Sequence, residues 1–291
     1  MKTRAAVTGS FSYSGKYITR RLLDAGQEVI TLTGHPERPN PFGGKVKAYP
    51  FNFDHPEALV DTLDGVDTLY NTYWVRFNHG DNSHDLAVSN TRKLIQAAES
   101  AGVRRIVHIS ITNPDLNSPL PYFHGKAMLE EMVQGSSLSY AILRPTVIFG
   151  VEDILINNIA WMLRRYPFFV IPGAGDYRLQ PIYAEDLAAL AVQAGKEEDN
   201  TIIDAVGPEI YSFGALVCLL ADTVSSCARI VKLPPKIALL LSRLVGIFVG
   251  DVVLTQEEVD GLMANLLISD APPTGGTSLK GWLSEHADVV G

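Results

Sequence analysis

The chain has 291 residues, 46% of them hydrophobic and 19% charged, which is typical of a folded globular protein with a sizeable core. Its formal net charge of −8, without a basic stripe, argues against a nucleic-acid binder. Two cysteines, Cys218 and Cys227, match no zinc or redox spacing, and we expect both to be buried free thiols of a cytoplasmic protein.

The N-terminal residues predict a strand, a tight loop and a helix. RAAVTG (4–9) has too few apolar residues for a secretory signal, so we expect none, and SGKYITRRLLDAG (14–26) has helical periodicity. Gly9 and Gly15 bound the loop. A glycine at the end of the strand permits a sharp turn, and one at the helix start lets the helix approach the sheet closely. The N–H groups between them would then face a pyrophosphate.

Ser12 stands at the point of closest backbone approach in this loop. Its side chain would either crowd the phosphates or donate a hydrogen bond to them, and Ser10 and Ser14 offer further hydroxyls. A glycine-bounded loop of this kind is also compatible with a tight turn that binds no ligand.

The second strand, EVITLTG (28–34), predicts the choice of cofactor. An acidic residue at its end would bind a ribose 2′-hydroxyl, but Thr33, Gly34 and His35 carry no carboxylate. Arg38, with His35, could meet a 2′-phosphate, which favours NADP over NAD. Alternatively, Arg38 is a solvated loop charge that Glu37 offsets.

The same alternation of strand and helix continues to Gly150, with the helix after the third strand opened by Asp54 as its N-cap. This rhythm predicts an α/β fold with a doubly wound, mainly parallel sheet of the Rossmann type. The predicted strands are VKAYPFNF, VDTLYNTYW, RRIVHISI and SYAILRPTVIFG, and the helices between them are DHPEALVDTLDG, HDLAVSNTRKLIQAAESAG and YFHGKAMLEEMVQGS.

The rhythm changes after Gly150. We expect a long amphipathic helix over 154–171, a helix over 182–195 and a short strand over 200–207, followed by a remainder that is helical apart from one loop. The predicted domains are an NAD(P)-binding domain over 1–150, to which 181–207 returns, and a small, mostly helical substrate lobe over 151–180 and 208–291.

The segment 236–254 is strongly apolar, but Arg243 and Asp251 interrupt it, and its uninterrupted runs are shorter than the ~20 residues that span a bilayer. We interpret it as a buried or lid-forming helix, with peripheral membrane contact as the alternative.

Tyr122 and Lys126 are the candidate catalytic pair. Their spacing places both on one face of a helix, where the ammonium could lower the pKa of the phenol so that it exchanges a proton with a carbonyl or alcohol oxygen. Ser110, at the end of the preceding strand, would donate to the substrate oxygen, with Thr112 as the alternative. The competing interpretation is a helix whose tyrosine and lysine only pack or meet solvent.

The loop 76–85 holds two histidines and two carboxylates, but its spacing predicts no metal site. Tyr73 lies among aromatic residues that suggest a bulky, apolar substrate, and Arg178 could hold a substrate oxygen or be an ordinary surface charge. The other aromatic residues are Trp74, Phe77, Phe149 and Trp161.

Several motifs in family order give the chain a resemblance to extended or atypical short-chain dehydrogenases/reductases, in particular the NmrA-like group that includes the NAD(P)-binding subunit of respiratory complex I. They are TGSFSYSG (8–15), Asp54, YNTYW (70–74), VHIS (107–110), YFHGK (122–126), LRPTVIFG (143–150) and QPIYAEDLA (180–188). The family's third loop glycine is replaced here by Ser12. The resemblance implies that Asp54 contacts the adenine and that Lys126 holds the nicotinamide ribose.

These observations predict an NAD(P)-dependent oxidoreductase or epimerase of the short-chain type, with Tyr122 as the acid/base. The alternative is a catalytically silent NAD(P)-binding redox sensor or accessory subunit. The expected ligands are NADP or NAD and a small-molecule substrate, with no nucleic acid or metal, and a homodimer is left open. The predicted cofactor-binding residues are Gly9, Ser10, Ser12, Tyr13, Gly15, His35, Arg38, Asp54, Asn71 and Lys126.

Overall fold

The computed structural model describes residues 3–76, 83–241 and 256–291. The chain divides into two compact units. The first comprises Met1–Pro145 and Ala184–Asp204, and the second comprises Thr146–Tyr183 and Ala205–Gly291. The roles predicted for the two domains, in cofactor and substrate binding, stay predictions.

The regular elements alternate along the first half of the chain, as the apolar periodicity predicts. In chain order the strands are β1 (Arg4–Thr8), β2 (Glu28–Thr33), β3 (Lys47–Pro50), β4 (Thr68–Asn71), β5 (Arg105–Ile109), β6 (Ser139–Pro145), β7 (Ile148–Phe149), β8 (Phe168–Pro172), β9 (Arg178–Leu179), β10 (Ile182–Tyr183), β11 (Thr201–Ala205), β12 (Tyr211–Ser212) and β13 (Arg229–Leu233). The helices are α1 (Tyr13–Asp24), α2 (Pro56–Leu63), α3 (His84–Ser100), α4 (Pro121–Gln134), α5 (Leu155–Arg165), α6 (Ala184–Lys196), α7 (Phe213–Thr223), α8 (Gln256–Met263) and α9 (Leu279–His286).

A seven-stranded sheet forms the centre of the first unit, in the order β11-β6-β5-β4-β1-β2-β3. The pairings from β6 through β3 are all parallel, which confirms the predicted doubly wound α/β fold. Chain order reverses beside β1, so the carboxyl ends of β1 and β4 flank the point where such sheets bind ligands. Strand residues such as Ala6, Leu69 and Ile106 are fully buried, because helices cover both faces of a parallel sheet.

The second unit has its own core, built around Phe149 and Trp282. The predicted long helix over 154–171 is wrong in its second half. Helix α5 ends at Arg165 because Pro167 holds Tyr166 in an extended conformation, and the chain continues as β8. Strand β13, in a region expected to be helical, pairs with β8 in parallel; its sequence RIVKL contains β-branched residues that suit a strand.

Two further expectations differ from the structure. Cys218 and Cys227 are free thiols, but both are exposed rather than buried. Asp54 is not the N-cap of α2; His55 is, because Pro56 occupies the first helical position.

None of the helices in the described ranges is long and apolar enough to cross a membrane. Of the apolar segment 236–254, residues 242–254 lie outside the described residues, so its predicted role as a lid or a membrane contact stays a prediction.

Candidate dinucleotide site

The loop between β1 and α1 has the close backbone approach that its two glycines predict. Gly9 has a φ of +69° and donates its N–H to the carbonyl of Leu32 at 2.8 Å. A Cβ on Gly15 would lie 2.7 Å from the carbonyl carbon of Gly9, so only glycine fits where α1 crosses the strand end.

The N-terminus of α1 is open to a ligand. Ser12 is the N-cap, exposed and extended (φ −101°, ψ 169°), and its side chain makes no capping hydrogen bond. The first turn of α1 contains no acidic residue. The first-turn N–H groups and the positive end of the helix dipole therefore fit an anionic group such as a pyrophosphate. The predicted contact of Ser12 with phosphate is compatible with this position.

Ser10 supports the loop from beneath, which corrects its predicted role as a hydroxyl donor to the cofactor. The residue is fully buried, and its Oγ accepts a hydrogen bond from the hydroxyl of Thr19 at 2.8 Å. Its N–H donates to Oγ1 of Thr31 at 3.0 Å, and that hydroxyl donates to the carbonyl of Val7. Thr19 and Thr31 were not among the predicted site residues, although threonines on a neighbouring helix and strand can hold a glycine loop through their hydroxyls.

Tyr13 is half-buried at the start of α1, and its ring meets the edge of Tyr17 at 5.6 Å. The packing fixes the ring beside the loop, and the predicted contact of Tyr13 with the cofactor stays a prediction.

The end of β2 presents a histidine and an arginine, with the carboxylate of Glu37 beside the histidine. Thr33 accepts a hydrogen bond from the N–H of His35, and His35 lies 3.5 Å from the carboxylate of Glu37. Arg38 is exposed, and within the described residues its guanidinium has no hydrogen bond or ion pair. Glu37 is thus engaged by His35, and Arg38 remains the cation available to a 2′-phosphate.

Asp54 and Tyr73 lie near the ends of β3 and β4. The Asp54 side chain is 96% exposed, and its nearest cation, Lys93, is 3.9 Å away, so the carboxylate is accessible to a ligand. Tyr73 packs its ring against Phe51 at 4.9 Å, and its hydroxyl accepts a hydrogen bond from Asn90. The predicted adenine and substrate contacts of Asp54 and Tyr73 stay predictions.

Asn71 is buried and joins three strand ends through its amide, and its predicted contact with a cofactor stays a prediction. Its Oδ1 accepts from the Thr8 hydroxyl and from the Tyr73 N–H, and its Nδ2 lies 3.1 Å from Nδ1 of His108. Because Nδ2 can only donate, Nδ1 of His108 accepts and the imidazole proton resides on Nε2. That nitrogen is buried with no hydrogen-bond partner among the described residues, and burial, with the nearby Lys126 ammonium, holds the pKa of His108 well below its ordinary value.

Ser110 faces a buried ion pair instead of an open site, which contradicts its predicted role as donor to the substrate. Its hydroxyl donates to Oε1 of Glu130 at 2.5 Å. The guanidinium of Arg144 donates two hydrogen bonds to the same carboxylate, from Nε to Oε1 at 2.9 Å and from Nη2 to Oε2 at 2.5 Å. Thr112, the alternative candidate, is fully buried and donates its N–H to the carbonyl of Pro145. It does not face a substrate either.

Lys126 is also turned inward. The residue is 3% exposed, its Nζ donates to the carbonyl of Ile109 at 2.9 Å, and the indole of Trp74 lies over the ammonium at 4.8 Å. Burial lowers the pKa of Lys126 to about 7, opposed by the carboxylate of Glu130. An amine that is largely neutral above pH 7 gives little electrostatic support to a phenolate on Tyr122.

Tyr122 is the most accessible member of the predicted group. It is half-buried in the first turn of α4, with its ring at the edge of Trp74 (5.7 Å) and of His84 (5.8 Å). Tyr122 and Lys126 thus lie on one face of a helix, as predicted, but both contact the same indole. Trp74 packs on Gly125, and a glycine inside a helix is a sequence signal for such a close approach.

Arg178 lies in the second unit, exposed on β9, with its N–H bonded to Oδ1 of Asn265 at 2.7 Å. Its predicted hold on a substrate oxygen stays a prediction. The histidines and carboxylates of 76–85 fall partly outside the described residues, since 77–82 are not described, and elsewhere in the described ranges no group of residues has the arrangement of a metal site.

The buried amine predicts a pH dependence of stability. In the unfolded chain Lys126 keeps its ordinary pKa of 10.5, whereas the folded value is about 7. Between these pH values the unfolded chain binds the extra proton, so this residue's contribution raises the free energy of unfolding as pH rises, by an amount of order 3–5 kcal/mol across the window. We expect the difference in the free energy of unfolding between the wild type and Lys126→Met, measured by urea denaturation, to grow by this amount as pH rises. The other titratable groups contribute equally to both proteins. A difference independent of pH would contradict the assignment.

The fold and the glycine-bounded loop define an α/β protein of the dinucleotide-binding class. Residues 9–153 match the NAD(P)H-binding family. This match supports the resemblance stated from its motifs, and the chain is similar to NAD(P)H-binding extended short-chain dehydrogenases/reductases.

Known proteins of two kinds are similar to this chain. Subunit 9 of the NADH dehydrogenase (ubiquinone) 1 alpha subcomplex, mitochondrial, of Arabidopsis thaliana is 25% identical over 91% of this chain and 71% of its own length. The NADP(H)-bound triphenylmethane reductase of Citrobacter sp. shares the fold with a TM-score of 0.78 at 19% identity, covering 98% of this chain and 99% of the reductase. The NADPH-dependent quinone oxidoreductase of Escherichia coli does so at 0.77 and 19%, covering 97% and 98%. A cytoplasmic location for this chain stays a prediction.

Proposed function

We propose that this protein binds NADP(H) without running alcohol–carbonyl chemistry through a serine–tyrosine–lysine relay. The proposal rests on the side chains of Ser110 and Lys126, which both point into the protein and make hydrogen bonds there. The hydroxyl of Ser110 donates to Glu130, and the ammonium of Lys126 donates to Ile109 beneath an indole. An acid/base relay needs its groups within hydrogen-bond reach of the reacting oxygen, and neither side chain is directed toward an open site.

The residues that would hold the cofactor fit it well. The Gly9–Gly15 cradle has no room for a Cβ, and the open N-terminus of α1 offers N–H groups to the pyrophosphate. Asp54 would reach the adenine from its exposed position. When bound, the nicotinamide would supply hydride chemistry, and the protein would supply its placement.

The end of β2 supports NADP(H) rather than NAD(H). It lacks the carboxylate that would bind a ribose 2′-hydroxyl, and the Arg38 guanidinium, which has no partner among the described residues, is available to a 2′-phosphate. The solved relatives with bound NADP(H) or NADPH agree with this preference.

The similarity to a complex I subunit supports a protein that binds NADP(H) without catalysing a reaction. The resemblance extends over nearly the whole chain, and that relative is named as a component of a larger assembly. We propose an accessory role, in which the nucleotide stabilises a folded surface for other proteins, in preference to turnover.

A reductase remains the second candidate, favoured by Tyr122. Its half-exposed ring stands on α4 one turn from Lys126, and the solved relatives are named as reductases that use NADP(H) or NADPH. In that case Tyr122 would give a proton to the substrate oxygen as hydride arrives at its carbon.

Binding and turnover measured on the same preparation separate the two candidates. We expect NADPH and NADP⁺ to raise the thermal midpoint of the full chain while NAD⁺ and NADH raise it less, because only the first pair engages Arg38. NADPH oxidation over a panel of aldehydes, ketones and quinones should stay at the background rate, and Tyr122→Phe should bind NADPH as the wild type does. Turnover that Tyr122→Phe abolishes would establish the reductase instead.

A further inference from the structure

Trp74 controls access to Lys126, and the contact lies wholly within the first unit. The ammonium is 4.8 Å from the centre of the indole, and the lysine is almost fully buried. Nζ also donates to the carbonyl of Ile109. A ligand group that is to reach Lys126 must therefore first displace the indole.

The seat of the indole is built by its neighbours. A Cβ on Gly125 would lie 2.7 Å from Cη2 of Trp74, so the bare helix surface at this glycine is what accepts the ring. His84 stacks on the indole at 5.3 Å with an interplanar angle of 5°, and Tyr122 meets it nearly at right angles. Aromatic packing favours this arrangement, and a cation–π contact adds to it while Lys126 is protonated.

The indole N–H adds no hydrogen bond to this seat within the described residues. Nε1 of Trp74 is buried and has no hydrogen-bond partner among the described residues. The ring is held by its packing against Gly125, His84 and the Lys126 side chain beneath it. It therefore acts as a competitor for Lys126, and a nicotinamide ribose that takes its place forfeits these contacts.

The opposite half of the site carries no such competitor. Ser12 is exposed at the open end of α1, Asp54 is accessible, and Arg38 has no partner in the part of the chain that the structure describes. Accessible residues are therefore available to the adenosine, its 2′-phosphate and the pyrophosphate. At the nicotinamide end, Lys126 is covered by Trp74.

We infer that this protein recognises the adenine half of a 2′-phosphorylated dinucleotide, and that Trp74 is the specificity-determining residue that withholds Lys126 from the nicotinamide half. The inference rests on the proposed function and deepens it: the ligand class is a 2′-phosphoadenosine diphosphate, bound without regard to redox state. An accessory role is compatible with such binding, whereas sensing the ratio of NADPH to NADP⁺ is not.

Calorimetric titration of the full chain with NADPH, NADP⁺ and 2′-phospho-ADP-ribose tests this, because the last differs from the others only in lacking nicotinamide. We expect the three dissociation constants to agree within about threefold. In Trp74→Ala, NADPH and 2′-phospho-ADP-ribose, which both carry the ribose that Lys126 would hold, should bind at least about tenfold tighter than in the wild type. The binding of 2′-phosphoadenosine 5′-diphosphate, which lacks that ribose, should change by less than about twofold.

Preference of the wild type for NADPH or NADP⁺ over 2′-phospho-ADP-ribose by about tenfold or more would overturn the inference and leave the proposed function intact. Failure of all three to bind would overturn both. Gly125→Ala provides a second variant that keeps the indole but fills its seat, and it should shift NADPH affinity in the same direction as Trp74→Ala. Gly281→Ala, a helical glycine whose Cβ would make only ordinary contacts at 3.6 Å, is the control and should change nothing.

The indole N–H resonance of Trp74, assigned by its loss in Trp74→Phe, provides a readout that does not depend on affinity. It should stay in place when either NADPH or 2′-phospho-ADP-ribose saturates the wild type. A large displacement by NADPH alone would mean that the nicotinamide end enters the seat and would refute the inference.

Discussion

Replacing Gly15 with alanine should abolish NADP(H) binding and lower the free energy of unfolding by about 1–3 kcal/mol, the usual cost of forcing a methyl group into a packed interior. The new Cβ would lie 2.7 Å from the carbonyl carbon of Gly9 and 3.2 Å from the N–H nitrogen of Ser10. Both are backbone atoms, so no side chain can move aside. Relief requires α1 to tilt away from the loop, which removes the N–H groups from the pyrophosphate.

The sign of this effect opposes helix propensity, which makes it diagnostic. Alanine in a helix is favoured over glycine by about 1 kcal/mol. Gly281 is the third residue of α9, as Gly15 is of α1, and Gly281→Ala should leave stability unchanged or raise it by up to that amount. Urea denaturation measures stability, and titration with NADPH should show an affinity at least about a hundredfold weaker for Gly15→Ala only. Wild-type affinity in Gly15→Ala would show that the nucleotide does not sit on this loop.

The sheet and the glycine loop were predictable because they depend on local patterns. Apolar runs separated by stretches of helical periodicity indicate a parallel sheet. The turn after the first strand needs a residue with a φ of +69°, a conformation that glycine adopts readily. The error at α5 was also local, since Pro167 was visible in the sequence and marks the end of the helix near Tyr166.

The orientation of the candidate catalytic residues was not predictable in the same way. The spacing of Tyr122 and Lys126 fixes the helix face but not what lies across from it. Trp74 comes from another strand end and takes the ammonium as its partner. A partial signal existed for Ser110: Glu130 follows Lys126 by one turn on the buried face of α4, and a buried carboxylate requires partners, which here are a serine and an arginine.

That carboxylate leads to the second large effect, on stability. Arg144→Met should lower the free energy of unfolding by about 3–5 kcal/mol, because Glu130, whose side chain is only 3% exposed, would remain as a buried charge without its cation. Replacing both residues by methionine should recover most of the loss, since an apolar pair of similar volume needs no desolvated charge. Urea denaturation of the two single variants and the double variant gives the coupling between them.

Lys93→Met is the matched control, because Lys93 and Asp54 form an exposed pair at 3.9 Å and its removal should cost less than about 1 kcal/mol. If Arg144→Met lowered the free energy of unfolding as little as Lys93→Met does, water would have to reach the Glu130 carboxylate. The double variant also bears on function, because it frees the Ser110 hydroxyl from its carboxylate. If Glu130 is all that withholds Ser110 from catalysis, NADPH-dependent turnover should emerge in that variant. Since Lys126 stays covered by Trp74 whatever happens at Glu130, we expect NADPH binding to persist and turnover to remain absent.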